Sequence, residues 1–149
     1  MIRFWYTSGK YGAFSNFAPF GLVMDGVAYK TSEHYYQAQK TLDPDLQEQI
    51  RLQPTPKLAK ELAQTVPLRP DWEAIKYDIM KQTLLAKFSQ MRSLQELLVS
   101  TGDEEIVEAS PKDYIWGCGK DGTGQNLLGK CLMEVREILR DASHAGMKD

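Results

Sequence analysis

Two cap-and-proline pairs in the middle of the chain constrain what it can fold into, because each marks where a helix begins. Asp43 is followed by Pro44, and Thr55 is followed by Pro56. An Asp or Thr side chain at a helix start accepts a hydrogen bond from an unpaired backbone N–H, and proline suits the next position because it has no N–H to leave unpaired. The pairs therefore predict short successive helices over about 44–52 and 56–64.

Hydrophobic spacing, cap residues and turn residues predict the remaining elements. Asp25-Gly26 is a hairpin turn signal between two short strands. Further predicted helices cover residues 31–41, 72–88 with Asp71 as cap, 93–100 ending at Gly102, and 127–141 with Asn126 as cap. Predicted strands cover residues 2–6, 20–24, 27–29 and 106–108. The fold class is therefore predicted to be α+β: a single helix-rich domain over residues 1–149 with a small, mostly antiparallel sheet and a frayed tail after about residue 143.

Length and charge restrict the class of protein. The chain has 149 residues, the usual size of one domain, and its net charge of −2 argues against a protein that coats nucleic acid by charge alone. Two isolated cysteines and two histidines make a disulfide framework or a zinc site unexpected, and no cofactor is indicated. Without a signal segment or a long apolar run, we expect a cytoplasmic protein with no membrane association and no obligate protein partner.

The segment over residues 31–40 is the first candidate for chemistry. Helical spacing places an acid, a phenol, an amide and an amine on one face: Glu33, Tyr36, Gln37 and Lys40. Glu33 also lies in the first turn, where the helix dipole favours its ionised form. Spacing alone favours an ordinary solvated helix face, with the polar wall of a pocket as the alternative. His34 by itself indicates a structural or surface histidine.

A glycine-rich loop over residues 117–124 is the second candidate. Glycines allow a ligand to approach the backbone closely, and the N–H groups at the start of the following helix suit a phosphate. The spacing of Gly117, Gly119 and Gly122 is only weak support, because neither a P-loop nor the strand–helix rhythm of a Rossmann unit surrounds it. A surface loop that needs glycine turns is an equally good interpretation.

Aromatic side chains near both segments could stack on a base: Phe14, Phe17, Trp72, Tyr114 and Trp116. The alternative is ordinary packing, which the spacing favours for Trp72. Asp113, taken alone, is typical of a turn. Cys131 is expected to be buried in the last helix, and Cys118 receives no role.

Several longer strings together resemble the NADAR (YbiA-like) family, in one order and over almost the whole chain. They comprise residues 11–17 (Tyr-Gly-Ala-Phe-Ser-Asn-Phe), 31–40 (Thr-Ser-Glu-His-Tyr-Tyr-Gln-Ala-Gln-Lys), 116–119 (Trp-Gly-Cys-Gly) and 124–129 (Gly-Gln-Asn-Leu-Leu-Gly). Two shorter strings also fit, Lys87-Phe88 and residues 132–136 (Leu-Met-Glu-Val-Arg). The resemblance implies an N-glycosidase that acts on riboflavin intermediates, which are ribosylamino-pyrimidine phosphates, or one that removes ADP-ribose from guanine in DNA.

The resemblance also implies roles for particular residues. The family's glutamate falls on Glu33 and its lysine on Lys40, so Glu33 would act as general acid/base and Lys40 as a Schiff-base nucleophile or electrostatic partner. The remaining positions would bind the substrate: Asn16, Phe17, Asp113, Trp116, Gly117, Gly119 and Asn126. Among these, the asparagines and Asp113 would position hydroxyls or phosphate, Trp116 would stack on the base, and the glycine loop would hold phosphate.

Two other function classes stay open. A non-catalytic module that binds ADP-ribose or a nucleotide predicts affinity without product. A structural or partner-binding protein predicts neither a ligand nor a polar pocket.

Overall fold

The computed structural model describes residues 1–147, and residues 148 and 149 lie outside the described part. Within it, four short strands and six α-helices follow one another along the chain. The strands are β1 (Ile2–Phe4), β2 (Leu22–Met24), β3 (Val27–Tyr29) and β4 (Ile106–Glu108). The helices are α1 (Ser32–Ala38), α2 (Pro44–Arg51), α3 (Pro56–Ala63), α4 (Trp72–Gln90), α5 (Arg92–Ser100) and α6 (Leu127–Met147), with a 3₁₀ turn at Gly12–Phe14 before β2.

The contacts within the chain group into two compact units. The middle unit comprises residues 16–87, and the terminal unit comprises residues 1–15 together with those from Phe88 onward. A single domain over residues 1–149 stays a prediction. Each unit has its own buried side chains and is described by itself.

The middle unit is built on capped helices. The Asp43 carboxylate accepts a hydrogen bond from the Asp45 N–H at 2.9 Å, and Thr55 Oγ1 accepts one from the Leu58 N–H at 3.1 Å, which confirms both cap-and-proline predictions. Helices α1, α2 and α3 pack on one another around small and branched side chains: Ala38, Ile50, Ala59 and Ala63. The β2–β3 hairpin turns at Asp25 and Gly26, which both have positive φ, as a tight hairpin turn requires.

The terminal unit joins the beginning of the chain to its last third. Strand β1 pairs with β4 in parallel, with Ile2 opposite Ile106, and α6 packs on both β4 and α5. Phe14 lies at the centre of an aromatic cluster, edge-to-face with Phe4 at 5.8 Å and with Phe88 at 5.7 Å between ring centroids. Buried aliphatic side chains of α6 complete this core: Leu128, Leu132, Val135 and Leu139.

The predicted helix-rich α+β class is confirmed, and the details of several elements differ from the prediction. The strands form two separate pairs, one of them parallel, because β1 pairs with the distant β4 and not with the hairpin. Helix α1 ends at Ala38, where tighter hydrogen bonds such as Lys40 N–H to Gln37 O replace the helical pattern. Helix α6 continues to Met147, beyond the predicted fraying point.

Candidate functional site

Helix α1 is polar in sequence and buried in the structure. Thr31 Oγ1 accepts a hydrogen bond from the His34 N–H at 3.2 Å and begins the helix, and every side chain over Ser32–Ala38 is buried. Glu33 is 7% exposed and Gln37 is 2% exposed. The interpretation of this face as an ordinary solvated surface is therefore wrong. A buried carboxylate has a high desolvation cost, so its presence needs partners or a function.

Gln37 holds Glu33 within helix α1. Gln37 Nε2 donates a hydrogen bond to Glu33 Oε1 at 2.6 Å, from one helical turn away. The other end of the same amide, Gln37 Oε1, is buried and has no hydrogen-bond partner among the described residues. A buried acceptor left over in this way is suited to a donor on a ligand or water. Helical spacing correctly predicted that Gln37 shares a helix face with Glu33, but no role was predicted for its side chain.

Asn16 lies against the first turn of α1. Ser32 Oγ donates to Asn16 Oδ1 at 2.8 Å, and the Glu33 N–H donates to the Asn16 backbone oxygen at 3.2 Å. Asn16 Nδ2 approaches Met80 Sδ at 3.4 Å. The structure therefore brings Asn16 next to Glu33, as the predicted site requires, and its amide helps to fix the turn that carries Glu33. Its predicted contact with substrate stays a prediction.

Lys40 lies in the turn after α1, half-buried between two aromatic rings. Its Nζ is 5.8 Å from the ring centroid of Tyr36 and 5.9 Å from that of Trp72, and these rings pack edge-to-face. Burial lowers the pKa of Lys40, and the Glu33 carboxylate partly opposes that shift. The two predicted catalytic residues thus influence each other electrostatically, although Lys40 is not on the helix. Trp72 is a buried core residue, as predicted.

Lys87 is a second lysine of the middle unit and, unlike the half-buried Lys40, it is completely buried. Lys87 of α4 has no exposed surface, and burial lowers its pKa to about 7. It lies two turns beyond Met80 on the same buried side of the helix. Lys87 was not predicted as a site residue, although Lys87-Phe88 is one of the strings that carry the family resemblance.

His34 has a structural role. Its Nδ1 lies 2.7 Å from Thr31 Oγ1, and its Nε2 lies 2.8 Å from the Gln53 backbone oxygen. Burial lowers the pKa of His34. The imidazole therefore joins the start of α1 to the end of α2, in agreement with the interpretation that it is not a catalyst.

The glycine loop of the terminal unit uses its backbone N–H groups internally. Asp113 Oδ1 accepts from the N–H groups of Ile115 and Trp116 at 2.9 and 2.8 Å, which confirms the turn interpretation for Asp113. Other N–H groups of the loop and of the start of α6 donate to backbone oxygens: those of Cys118, Gly119, Gly124, Gln125, Asn126, Leu127 and Leu128. A phosphate cradle built from these amides is therefore not what the geometry favours.

The loop glycines are required by close packing of the protein on itself. A Cβ on Gly117 would collide with the Glu108 carboxylate, and one on Gly119, whose φ is +71°, would collide with the Tyr114 ring. Beside Gly117 and Gly119, the space that a ligand would need is occupied by the side chains of Glu108 and Tyr114. The structure thus favours the turn-loop interpretation over the phosphate loop.

Asn126 connects α6 to β4. Its Oδ1 accepts from the Glu108 N–H at 2.9 Å, and its Nδ2 donates to the Ile106 oxygen at 2.9 Å. Asn126 stands at the start of α6, as predicted, but its side-chain amide bonds the strand. It therefore serves the fold, and a role on phosphate is not favoured.

The predicted site residues divide between the two units. Those in the middle unit are Asn16, Phe17, Glu33 and Lys40, and Phe17 is partly exposed. Those in the terminal unit are Asp113, Trp116, Gly117, Gly119 and Asn126, and Trp116 is half-buried. Among the residues whose side chains the structure describes, no group of three or more is suited to a metal ion. No described helix has the length and apolarity to span a membrane.

Comparisons of the chain with known proteins indicate one set of relatives. The sequence model of the NADAR domain matches residues 3–140. The chain is 44% identical to N-glycosidase YbiA of Escherichia coli over 93% of this chain and 88% of that protein. It is 43% identical to N-glycosidase Npun_R5314 of Nostoc punctiforme, over 94% of this chain and 93% of that protein.

Two further similarities concern a longer relative and a solved structure. The chain is 40% identical to riboflavin biosynthesis protein VVA0006 of Vibrio vulnificus, over 94% of this chain but 39% of that protein. An NMR structure of the E. coli protein YbiA superimposes with a TM-score of 0.89 at 43% identity, over 95% of this chain and 86% of that one. The fold and the sequence therefore indicate the same relatives.

Proposed function

Because the chain belongs to the NADAR family and is an N-glycosidase, we propose that it hydrolyses the ribose C1–N bond of phosphoribosylated bases. The substrates proposed first are the ribosylamino-pyrimidine phosphates of riboflavin synthesis. The observation that carries the proposal is the buried Glu33 carboxylate with Gln37 Nε2 held 2.6 Å from its Oε1. A buried acid fixed in one orientation is suited to acid–base chemistry on a bound sugar.

Glu33 is the proposed general acid/base. Breaking the C1–N bond builds positive charge on C1 and on the ring oxygen, which a nearby carboxylate stabilises. Glu33 in its protonated form gives a proton to the leaving nitrogen, and as a carboxylate it takes one from the attacking water. The products are the amino-pyrimidine base and ribose 5-phosphate. Gln37 keeps the carboxylate in place, and its Oε1 accepts from a sugar hydroxyl or from the water.

Lys40 is the proposed partner of Glu33. In one version its cation balances the negative charge of the site. In the other, neutral Nζ attacks C1, the base leaves with a proton, the sugar ring opens to an imine on Lys40, and water then releases the sugar. The lowered pKa of Lys40 supports the second version, because only the deprotonated amine can attack.

The substrate class rests on chemistry and on the names of relatives. VVA0006 is named as a riboflavin biosynthesis protein, and the chain matches a 39% share of it. The net charge of −2 favours a small ribose-phosphate substrate over duplex DNA. The glycine loop, Asp113 and Asn126 are left out of the proposed binding residues, and stacking of Trp116 on the base stays a prediction.

A product assay by mass spectrometry tests the substrate. The purified protein receives a ribosylamino-pyrimidine phosphate in one tube and an ADP-ribosylated guanine oligonucleotide in another. We expect base and ribose 5-phosphate in the first tube. Restored guanine with ADP-ribose in the second tube alone would move the assignment to removal of ADP-ribose from DNA. No product in either tube from a folded protein would favour a binding module.

A further inference from the structure

Two large aromatic side chains, Trp5 and Tyr6, lie in solvent directly after β1. Within β1 the alternation of a strand buries Ile2 and Phe4 and leaves Arg3 exposed. Trp5 is 41% exposed and Tyr6 is 66% exposed. Their rings stack on each other, with centroids 4.5 Å apart and planes 29° apart. An exposed, pre-stacked aromatic pair of this kind presents a flat surface to a further ring.

Two cations, Arg3 and Lys10, lie beside the rings, and no carboxylate of the described residues pairs with either. The guanidinium of Arg3 approaches only weak sulfur acceptors, Met1 Sδ at 3.7 Å and Cys118 Sγ at 3.9 Å. Lys10 Nζ lies 5.3 Å from the centroid of the Tyr11 ring. Within the part of the chain that the structure describes, neither cation forms an ion pair. Both therefore retain hydrogen-bond donors for an anion.

Rings and cations line one open depression of about 250 Å³, formed by residues 3–6 and 8–12. The turn at its rim is tight, because the Gly12 N–H donates to the Gly9 oxygen at 3.2 Å and Gly12 packs directly on the Thr7 backbone. None of the lining residues is acidic. Pockets for drug-sized ligands have volumes of roughly 300–1,000 Å³, so this one is suited to a single base with its phosphate.

We propose that this depression, the Trp5–Tyr6 site, binds a nucleotide. The base stacks on the Trp5–Tyr6 pair, and the phosphate accepts hydrogen bonds from Arg3 and Lys10. Stacking tolerates any base because every base has an aromatic face, and a guanidinium with an ammonium is the usual pair of donors for phosphate. The proposed reaction at Glu33 uses none of these residues.

The probe is 5′-AMP, and the observable is the indole N–H of Trp5 in a ¹H–¹⁵N NMR spectrum, which suits a protein of 16.9 kDa. Adenosine lacks the phosphate and ribose 5-phosphate lacks the base. We expect a saturable shift of the Trp5 signal with AMP, and affinities roughly tenfold weaker for both fragments, since each loses one of the two contacts.

Variants separate this site from adventitious binding. Tyr6→Ser should weaken AMP binding roughly tenfold, and Lys10→Gln should weaken it and reduce its dependence on salt. Lys120→Gln, which removes an equally exposed cation elsewhere, is the matched control and should bind AMP as the unaltered protein does. Loss of the stacking partner is tested at Tyr6 because this side chain is 66% exposed, so we expect the substitution to cost little stability.

A second ligand, the oligonucleotide (dA)6, distinguishes a site for single-stranded nucleic acid from a site for a free nucleotide. Tighter binding than AMP, lost in Tyr6→Ser, assigns the site to single-stranded nucleic acid, and equal or weaker binding assigns it to a free nucleotide. Absence of a saturable Trp5 shift with both ligands would overturn the proposal. Equal AMP affinity in the Tyr6→Ser, Lys10→Gln and Lys120→Gln variants would also overturn it.

Discussion

The side-chain amide of Gln37 donates to Glu33 Oε1 at 2.6 Å inside a helix that is buried along its whole length. This bond fixes which way the amide points, because an N–H donor must face the carboxylate. Gln37 Oε1 is therefore directed away from Glu33, and the described residues give it no partner. The pair supplies a fixed carboxylate and an adjacent acceptor, which are two of the groups that a glycosidase needs around a sugar.

Replacing Gln37 with leucine tests whether it positions Glu33. Gln37→Leu keeps an apolar volume in the buried position but removes the N–H donor. We expect kcat to fall roughly tenfold, because the carboxylate loses the donor that fixes its orientation. Gln39→Leu, two residues along and partly exposed, is the control. If kcat falls no further in Gln37→Leu than in Gln39→Leu, Gln37 contributes packing alone.

Two substitutions of Lys40 separate the nucleophile from the electrostatic partner. Lys40→Arg keeps the positive charge but cannot form an imine. Lys40→Met has neither the charge nor the ability to form an imine. If Lys40 attacks C1, both variants lose activity, and borohydride traps a sugar adduct on the unaltered enzyme only. Because burial lowers the pKa of Lys40, that route should speed up with rising pH as the amine deprotonates. An active Lys40→Arg without any trapped adduct would contradict the nucleophile version.

Lys87 should make stability depend on pH. Its pKa is about 7 in the folded protein and about 10.4 in the unfolded chain, so between these values the unfolded chain binds one more proton. The free energy of unfolding should therefore rise from pH 7 towards pH 10 by about 1.4 kcal/mol per pH unit from this group alone. Urea unfolding of the unaltered protein and of Lys87→Met across this range measures the difference, and parallel stability curves would contradict the assignment.

Gly129 protects the bond between Asn126 and β4. A Cβ at this position would collide with the Ile106 oxygen and with the Asn126 amide. We expect Gly129→Ala to destabilise the protein by about 1–3 kcal/mol, the usual cost of overpacking. Lys130→Ala, at the exposed neighbouring position of α6, should change stability by about 0.5 kcal/mol or less. Thermal unfolding compares the two, and equal midpoints would show that the strand accommodates the methyl group.

The sequence was informative where structure depends on near neighbours. Caps at Asp43 and Thr55 and the Asp25-Gly26 turn formed as predicted, because their hydrogen bonds and dihedral angles are settled within a few residues. The same holds for the spacing of Glu33 and Gln37 on one helix face. Helical periodicity shows which residues share a face, but it does not show what covers that face.

Burial of the site depends on contacts between distant residues. Asn16 reaches Met80 across 64 positions, and together with Ser32 it surrounds the turn that carries Glu33. The burial of Lys87 likewise depends on which other chain segments cover α4, and helical spacing does not show this. Asn126 was expected to cap α6, but the parallel pairing of β1 with β4 brings β4 within reach of its amide. Local sequence patterns do not predict which of two strands far apart in the chain will pair.

Single-turnover product release by Glu33→Gln tests the central claim most directly. The buried carboxylate becomes a neutral amide of the same shape, and Glu61→Gln, at an exposed position of α3, serves as the matched control. Release of the base from a ribosylamino-pyrimidine phosphate is followed by mass spectrometry, with folding of each variant checked by circular dichroism. We predict a rate roughly 10²–10⁴-fold lower in Glu33→Gln and an unchanged rate in Glu61→Gln. Undiminished turnover in a folded Glu33→Gln protein would contradict the account.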